Sequence, residues 1–193
     1  GITLFYASQE SSDELMKRAD IAMYQAKAAG RNTLRFFDDR MQSAVSARVK
    51  MEHDLRLGLQ LNQFILHYQP QVDGATDEIV GFESLLRWDH PELGRIPPDR
   101  FIPLAEETGL IISLSNWVIR KACAETKDKL PGLSVSVNIS AIEFQASDLA
   151  ERIKEILHET GLEPDRLEIE VTENVTLSDP EKTLQTMKAL KKM

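Results

Sequence analysis

The chain has a single cysteine, Cys123, which excludes an internal disulfide and fits a reducing compartment such as the cytoplasm. It has no apolar run approaching the length of a membrane span and no signal-peptide pattern, so localisation is expected to be cytoplasmic. Any membrane anchor of a parent protein would lie outside these residues. Basic residues are the minority, 23 Lys and Arg against 31 Asp and Glu, for a net charge of −8. That balance excludes binding nucleic acid through a broadly cationic surface. An anionic ligand would need local attraction, from a metal or a placed arginine. What is present, 42% apolar and 28% charged residues, is the composition of a globular protein. At 193 residues the chain can bury a full core, as one large domain or two small ones.

The first residues, Gly1 to Tyr6, already read as strand and carry no initiator methionine; the last, Lys191-Lys-Met193, read as the back of a helix. The chain is therefore expected to be a fragment. Ile2 to Tyr6 and Thr33 to Phe37 read as strands around a helix that Ser11-Ser12-Asp13-Glu14 opens and Gly30 stops. So small a piece cannot bury its own apolar face, and reads as the end of an α/β domain. Asp38 to Leu61 has no proline and one glycine, Gly58, and reads as a helical connector. The expected partition is 1–38, 39–61 and 62–193.

From Asn62 onward strands alternate with helices. Strands are expected over Phe64–Val72, Ile79–Trp88, Leu133–Ile139 and Leu167–Glu173, with a turn at Asp73-Gly74. Helices are expected around Phe101–Thr108, after a cap at Ser115, after a cap at Ser147, and from Asp179-Pro180, where Leu184, Met187 and Leu190 should face inward. Short loops between such elements argue for βα units around a parallel sheet. Periodicity leaves open whether that sheet closes into a barrel.

Ile79–Trp88 organises the rest. Glu83, Leu85 and Arg87 share one of its faces, and Phe82, Ser84, Leu86 and Trp88 the other. Charge buried on a strand face costs several kcal/mol unless it is paired or holds a metal. A structural Glu–Arg pair would suffice if the strand stood alone. Two further strands repeat the pattern: Ser134, Ser136 and Asn138 share a face, and so do Glu168, Glu170 and Thr172. Parallel strands covered on both sides read instead as continuous apolar runs. Glu83, Asn138 and Glu170 are therefore expected at strand ends, where a barrel carries its active site. Two carboxylates and an amide oxygen suit a hard cation such as Mg²⁺ or Mn²⁺. By contrast His53, His67, His90 and His158 lack ligand spacing, and Cys123 on an amphipathic helix is expected in the core.

Two resemblances sharpen this. Glu14-Leu15-x-x-Arg18-Ala19-Asp20-x-Ala22-Met23-Tyr24-x-Ala26-Lys27-x-x-Gly30-Arg31-Asn32 resembles the C-terminal helix and last strand of a GGDEF (diguanylate cyclase) domain. That family's naming loop and its nucleotide and metal segments would lie upstream of Gly1. Tyr68-Gln69-Pro70, Phe82-Glu83-Ser84-Leu85-Leu86-Arg87-Trp88, Phe101-Ile-Pro-Leu-Ala-Glu-Glu-Thr-Gly-Leu-Ile111, Val137-Asn138-Ile139-Ser140-Ala141 and Glu168-Ile169-Glu170-Val171-Thr172-Glu173 resemble the first half of an EAL domain. The EAL family hydrolyses cyclic di-GMP to pGpG on a TIM-type (β/α) barrel with two divalent cations, Mg²⁺ or Mn²⁺. The resemblance implies an incomplete barrel of this type, preceded by the last strand–helix–strand of an α/β domain.

It also implies roles. Glu83, Asn138 and Glu170 would be metal ligands, Gln69, Leu85 and Arg87 would meet substrate, and Glu173 would steady the loop over the metals. By the same resemblance Glu83, Glu170 and Glu173 would form the catalytic set. The naming motif carries Ser84 in place of alanine or valine, on the face opposite Glu83. The family's Asp-Asp strand, catalytic lysine and later glutamate and glutamine would fall beyond Met193. A whole barrel takes about 250 residues, so the segment alone is expected to be inactive, with an exposed sheet edge prone to self-association. The parent is read as a cyclic di-GMP phosphodiesterase and a homodimer. The alternative is a non-catalytic module with degenerate domains that binds cyclic di-GMP or a protein.

Overall fold

A computed structural model of the chain describes residues 1–5, 11–171 and 179–193. These residues divide into two compact units, residues 1–54 and 55–193.

In the first unit, helix α1 (Ser12–Ala28) starts where the Ser11 hydroxyl accepts a hydrogen bond from the Glu14 amide at 3.2 Å, and it buries Ile21, Ala22 and Ala26. The two strands expected around it reduce to one parallel bridge, Ile2 to Phe36. Phe37 N donates to Ile2 O at 2.7 Å, and Ile2 N to Arg35 O at 2.9 Å. A strand pair without a third partner is marginal, and Leu4, Phe5, Leu34 and Phe36 stay exposed. Tyr6, the last residue of the first expected strand, is outside the described residues. Helix α2 (Asp39–Gln60) covers the expected connector and spans the division between the units, burying Leu55 and Gly58.

The second unit is built on a sheet with β1 (Phe64–Val72), β2 (Ile79–His90), β3 (Gly94–Ile96), β4 (Ser134–Ile139) and β5 (Leu167–Val171). Its order is β1-β2-β4-β5, with β3 also paired to β2. β2, β4 and β5 are parallel, as expected. β1 and β3 are antiparallel to β2, so the sheet is mixed and not purely parallel. The cause is loop length. Asp73 closes a tight turn by accepting from the amides of Ala75 (2.8 Å) and Thr76 (3.0 Å), and a tight turn can only join antiparallel neighbours. β3 was not legible beforehand, because Gly94 and the nearby Pro97 read as loop.

Helices α3 (Pro98–Thr108) and α4 (Ile111–Lys129) follow, separated by Gly109 at φ 74°, a left-handed stop. After β4 come a short α5 (Ala141–Phe144) and α6 (Leu149–Thr160), and α7 (Pro180–Lys191) ends the chain. The main core forms where Val135, Val137 and Ile139 of β4 meet Val118, Ile119, Ala122 and Cys123 of α4 and Ile153, Ile156 and Leu157 of α6. Burial pushes the Cys123 thiol up to about 12, as befits an unreactive core residue. A second cluster stacks Phe64 on Trp88 with ring centres 5.3 Å apart, and Phe101 stands edge-on to Trp88 at 5.4 Å.

Three expectations about helices are corrected. Ser115 does not cap a helix: α4 begins at Ile111, and the Ser115 hydroxyl donates to the buried Glu143 carboxylate at 2.6 Å. Ser147 does not cap α6, whose N-cap is Asp148; the serine that caps is Ser140, accepting from the Glu143 amide at the start of α5. In α7 only Leu190 packs on the core, while Leu184 (51% exposed) and Met187 (39%) face away from it.

Candidate functional site

Every second strand residue that avoids the helix-packed core lands on the opposite face of the sheet. Register arranges these residues in rows. Gln69, Glu83, Ser136 and Glu168 form one row, and Asn138 and Glu170 the next one toward the C-terminal ends of the parallel strands. Gln71 lies one row the other way, opposite Gly81. Glu83 is thus not at a strand end as expected. It is the fifth residue of the 12 in β2, because pairing with β3 prolongs that strand to His90.

Among the expected site residues the structure joins two directly. Asn138 Nδ2 donates to Glu83 Oε1 at 2.7 Å. Glu170, two strands from Glu83, accepts at Oε1 from Gln71 Nε2 at 3.2 Å. Gln69 is opposite Glu83 in the β1–β2 register. Leu85 and Arg87 line a pocket of about 490 Å³ with Ile102, Glu106, Leu114 and Asn138, and Arg87 Nη1 donates to Leu86 O at 2.8 Å. Ser84 faces the opposite way, buried, its hydroxyl donating to Ser136 O at 2.9 Å. Glu173 lies outside the described residues.

Gln71 and Glu143, on and beneath this face, were missed, and Ser136 was placed on it without a role. Gln71 and Ser136 form a chain with the acids, Ser136 Oγ lying 3.2 Å from Gln71 Oε1 and 3.4 Å from Glu168 Oε2. The signal was the period-two spacing Gln69-x-Gln71. Glu143 is fully buried, its Oε2 accepting from Ser115 Oγ (2.6 Å) and Ser140 Oγ (3.2 Å), with Arg152 Nη1 at 3.9 Å from Oε1. Burial pushes the Glu143 carboxyl up, against the pull of those hydroxyls and of Arg152. Its signal was Ser140-x-x-Glu143, the capping-box spacing.

In kind, the donors fit a hard cation: Glu83 and Glu170 bring carboxylates, and Asn138, with its nitrogen on Glu83, has its carbonyl oxygen left for another partner. Among the described residues no three His, Cys, Asp or Glu side chains converge as a metal cage. Glu83, Asn138 and Glu170 would therefore form part of such a cage and need further ligands. Nor is any described helix long and apolar enough to cross a membrane.

Comparison with known proteins gives this arrangement a context. The chain is 39% identical over 197 residues to the bifunctional diguanylate cyclase/cyclic di-GMP phosphodiesterase MucR of Pseudomonas aeruginosa, covering 100% of this chain and 29% of that protein. It is 36% identical over 197 residues to the cyclic di-GMP phosphodiesterase NbdA of the same organism, covering 100% and 25%. It thus spans between a quarter and a third of the length of these curated relatives. A solved PaMucR phosphodiesterase in complex with c-di-GMP matches with a TM-score of 0.70 at 37% identity, over 74% of this chain and 60% of that one. The family profile described as EAL domain matches residues 52–193, most of the sequence, and the chain belongs to that family.

Proposed function

We propose that residues 62–193 are the N-terminal part of a cyclic di-GMP phosphodiesterase domain, and that the polar strand face is half of its site. The observation that carries this reading is the 2.7 Å contact between Asn138 and Glu83 on that face, beside the pocket that Arg87 lines. The relatives' chemistry supports the substrate class, since MucR and NbdA are cyclic di-GMP phosphodiesterases.

Glu83, Asn138 and Glu170 would hold divalent cations, Mg²⁺ or Mn²⁺, which supply charge neutralisation and an acidified water. Arg87 offers a two-pronged donor to a phosphate oxygen pair, and Gln69 and Leu85 would seat the dinucleotide. In the overall reaction water adds to one phosphorus and the P–O3′ bond breaks. The departing oxygen takes a proton to become the 3′-hydroxyl of linear pGpG. Glu173 would steady the loop above the reacting phosphate. Residues 1–38 would be the tail of a GGDEF domain, 39–61 its connector, and the parent a cytoplasmic homodimer.

The test uses the whole protein that contains this chain, with Mg²⁺ or Mn²⁺, following pGpG by chromatography. Turnover should fall at least about 100-fold in Glu83→Gln, more than the loss of an outer-shell contact causes. Tight cyclic di-GMP binding without turnover in both forms would overturn the enzyme reading and leave a binding module.

A further inference from the structure

We propose that Gln71 is a positioning residue for this site, pinning Glu170 from the far side of the sheet through a gap that Gly81 leaves in β2. The inference rests on reading Glu170 as a metal ligand. Gln71 belongs to β1, and Glu170 to β5, with β2 and β4 between them. For Gln71 to reach Glu170, its side chain must pass over β2 and β4. The residue of β2 directly opposite Gln71 is Gly81, the one position in that strand without a side chain.

The gap is tightly filled. A Cβ at Gly81 would lie 2.4 Å from Ser134 Oγ, 3.0 Å from Ser134 O and 3.3 Å from Gln71 Oε1. Ordinary side chains do not tolerate the first of these distances. Glycine in a strand interior weakens the strand and marks a bulge or the close approach of another group; at Gly81 both occur, since the β1–β2 register shifts between Gln71 and Val72. Here the groups are the Ser134 hydroxyl and the Gln71 amide.

The amide is also oriented. Ser136 Oγ, at 3.2 Å, can donate to Gln71 Oε1, and this turns the amide nitrogen toward Glu170 Oε1, also at 3.2 Å. An ionised carboxylate only accepts, so a donor is the partner it needs. With Oε1 so held, Glu170 keeps Oε2 for a cation. Partners of this kind fix the angle and basicity of a metal ligand, and their loss typically costs about 10–100-fold in metal affinity or activity. No charge changes in the process; Gln71 supplies geometry.

The experiment is calorimetric titration of the whole protein with Mn²⁺, alongside its melting temperature and turnover. Gln71→Met keeps the length and bulk of the side chain and removes both hydrogen bonds. It should raise the half-saturating Mn²⁺ concentration about 10–100-fold while leaving the melting temperature nearly unchanged. Gly81→Ala keeps the Gln71 amide but obstructs its path, and should shift the same midpoint in the same direction. Glu170→Gln separates this proposal from the reading beneath it. If Glu170→Gln shifts the midpoint and Gln71→Met does not, the positioning role is overturned. If Glu170→Gln leaves the midpoint where it was, the ligand reading fails and the proposal fails with it. A Gln71→Met protein that melts early but binds Mn²⁺ normally also overturns it, because that is the behaviour of a packing residue.

Discussion

Glu143 shows what one residue can reveal by titration. Its carboxyl is fully buried, and desolvation raises it above the ordinary glutamate range. A carboxyl raised in the fold favours the folded state when protonated. That contribution is complete below the unfolded value near 4.5 and is lost as pH rises through the folded one. Glu143→Gln, a neutral mimic of the same shape, should remove this loss. Melting curves of parent and variant should coincide near pH 4 and separate toward pH 8, with the variant the more stable. A variant less stable at pH 8 would mean that the ionised carboxylate and Arg152 outweigh burial. The residue scale is also where the sequence was read best and worst. Glu83 and Asn138 stand out because an acid and an amide recur on alternating positions of apolar strands. Gln71 does not, since a polar residue on a strand that follows a connector is indistinguishable from surface until the side chain's reach is known.

At the scale of elements, four strands of the second unit were legible nearly to the residue, as were the starts of α1 at Ser11 and of α7 at Asp179, while β3 and the starts of α4 and α6 were not. Ser115 and Ser147 looked like caps because serine before an apolar run is the local signal. Ser115 instead serves a carboxylate 28 residues away, a long-range contact that spacing cannot display. The expected strands near Gly1 failed for a related reason, lacking a third strand to pair with. The aromatic cluster under the β1–β2 hairpin gives a test of packing. A Cβ on Gly58 of α2 would sit 3.0 Å from Phe64 Cε2 and 3.1 Å from Trp88 Nε1. Alanine gains about 1 kcal/mol over glycine in a helix interior. Overpacking costs about 1–3 kcal/mol, and both rings that would have to give way are fully buried. Gly58→Ala should therefore destabilise the second unit by about 1 kcal/mol in urea denaturation. A stabilised variant would show that the rings yield.

At the scale of the molecule, the described strands form a sheet with two edges, β1 and β5. Edges with unpaired backbone groups recruit other edges. The 193-residue chain by itself should self-associate in sedimentation velocity runs and show no turnover of cyclic di-GMP. A monomer that melts cooperatively and hydrolyses the dinucleotide would refute both expectations. The parallel βα order was legible from alternation and loop length. Closure of the sheet was not, because no local pattern in these residues encodes whether a sheet stays open or closes.

The direction of β1 carries a last consequence. Because it runs against β2, its first residue, Phe64, lies beside Trp88 at the carboxyl end of the parallel strands. Asn138 and Glu170 lie toward that same end, and α2 leads into β1 there through Leu61, Asn62 and Gln63. The polypeptide therefore enters this unit by the rim of the polar strand face and not by its floor.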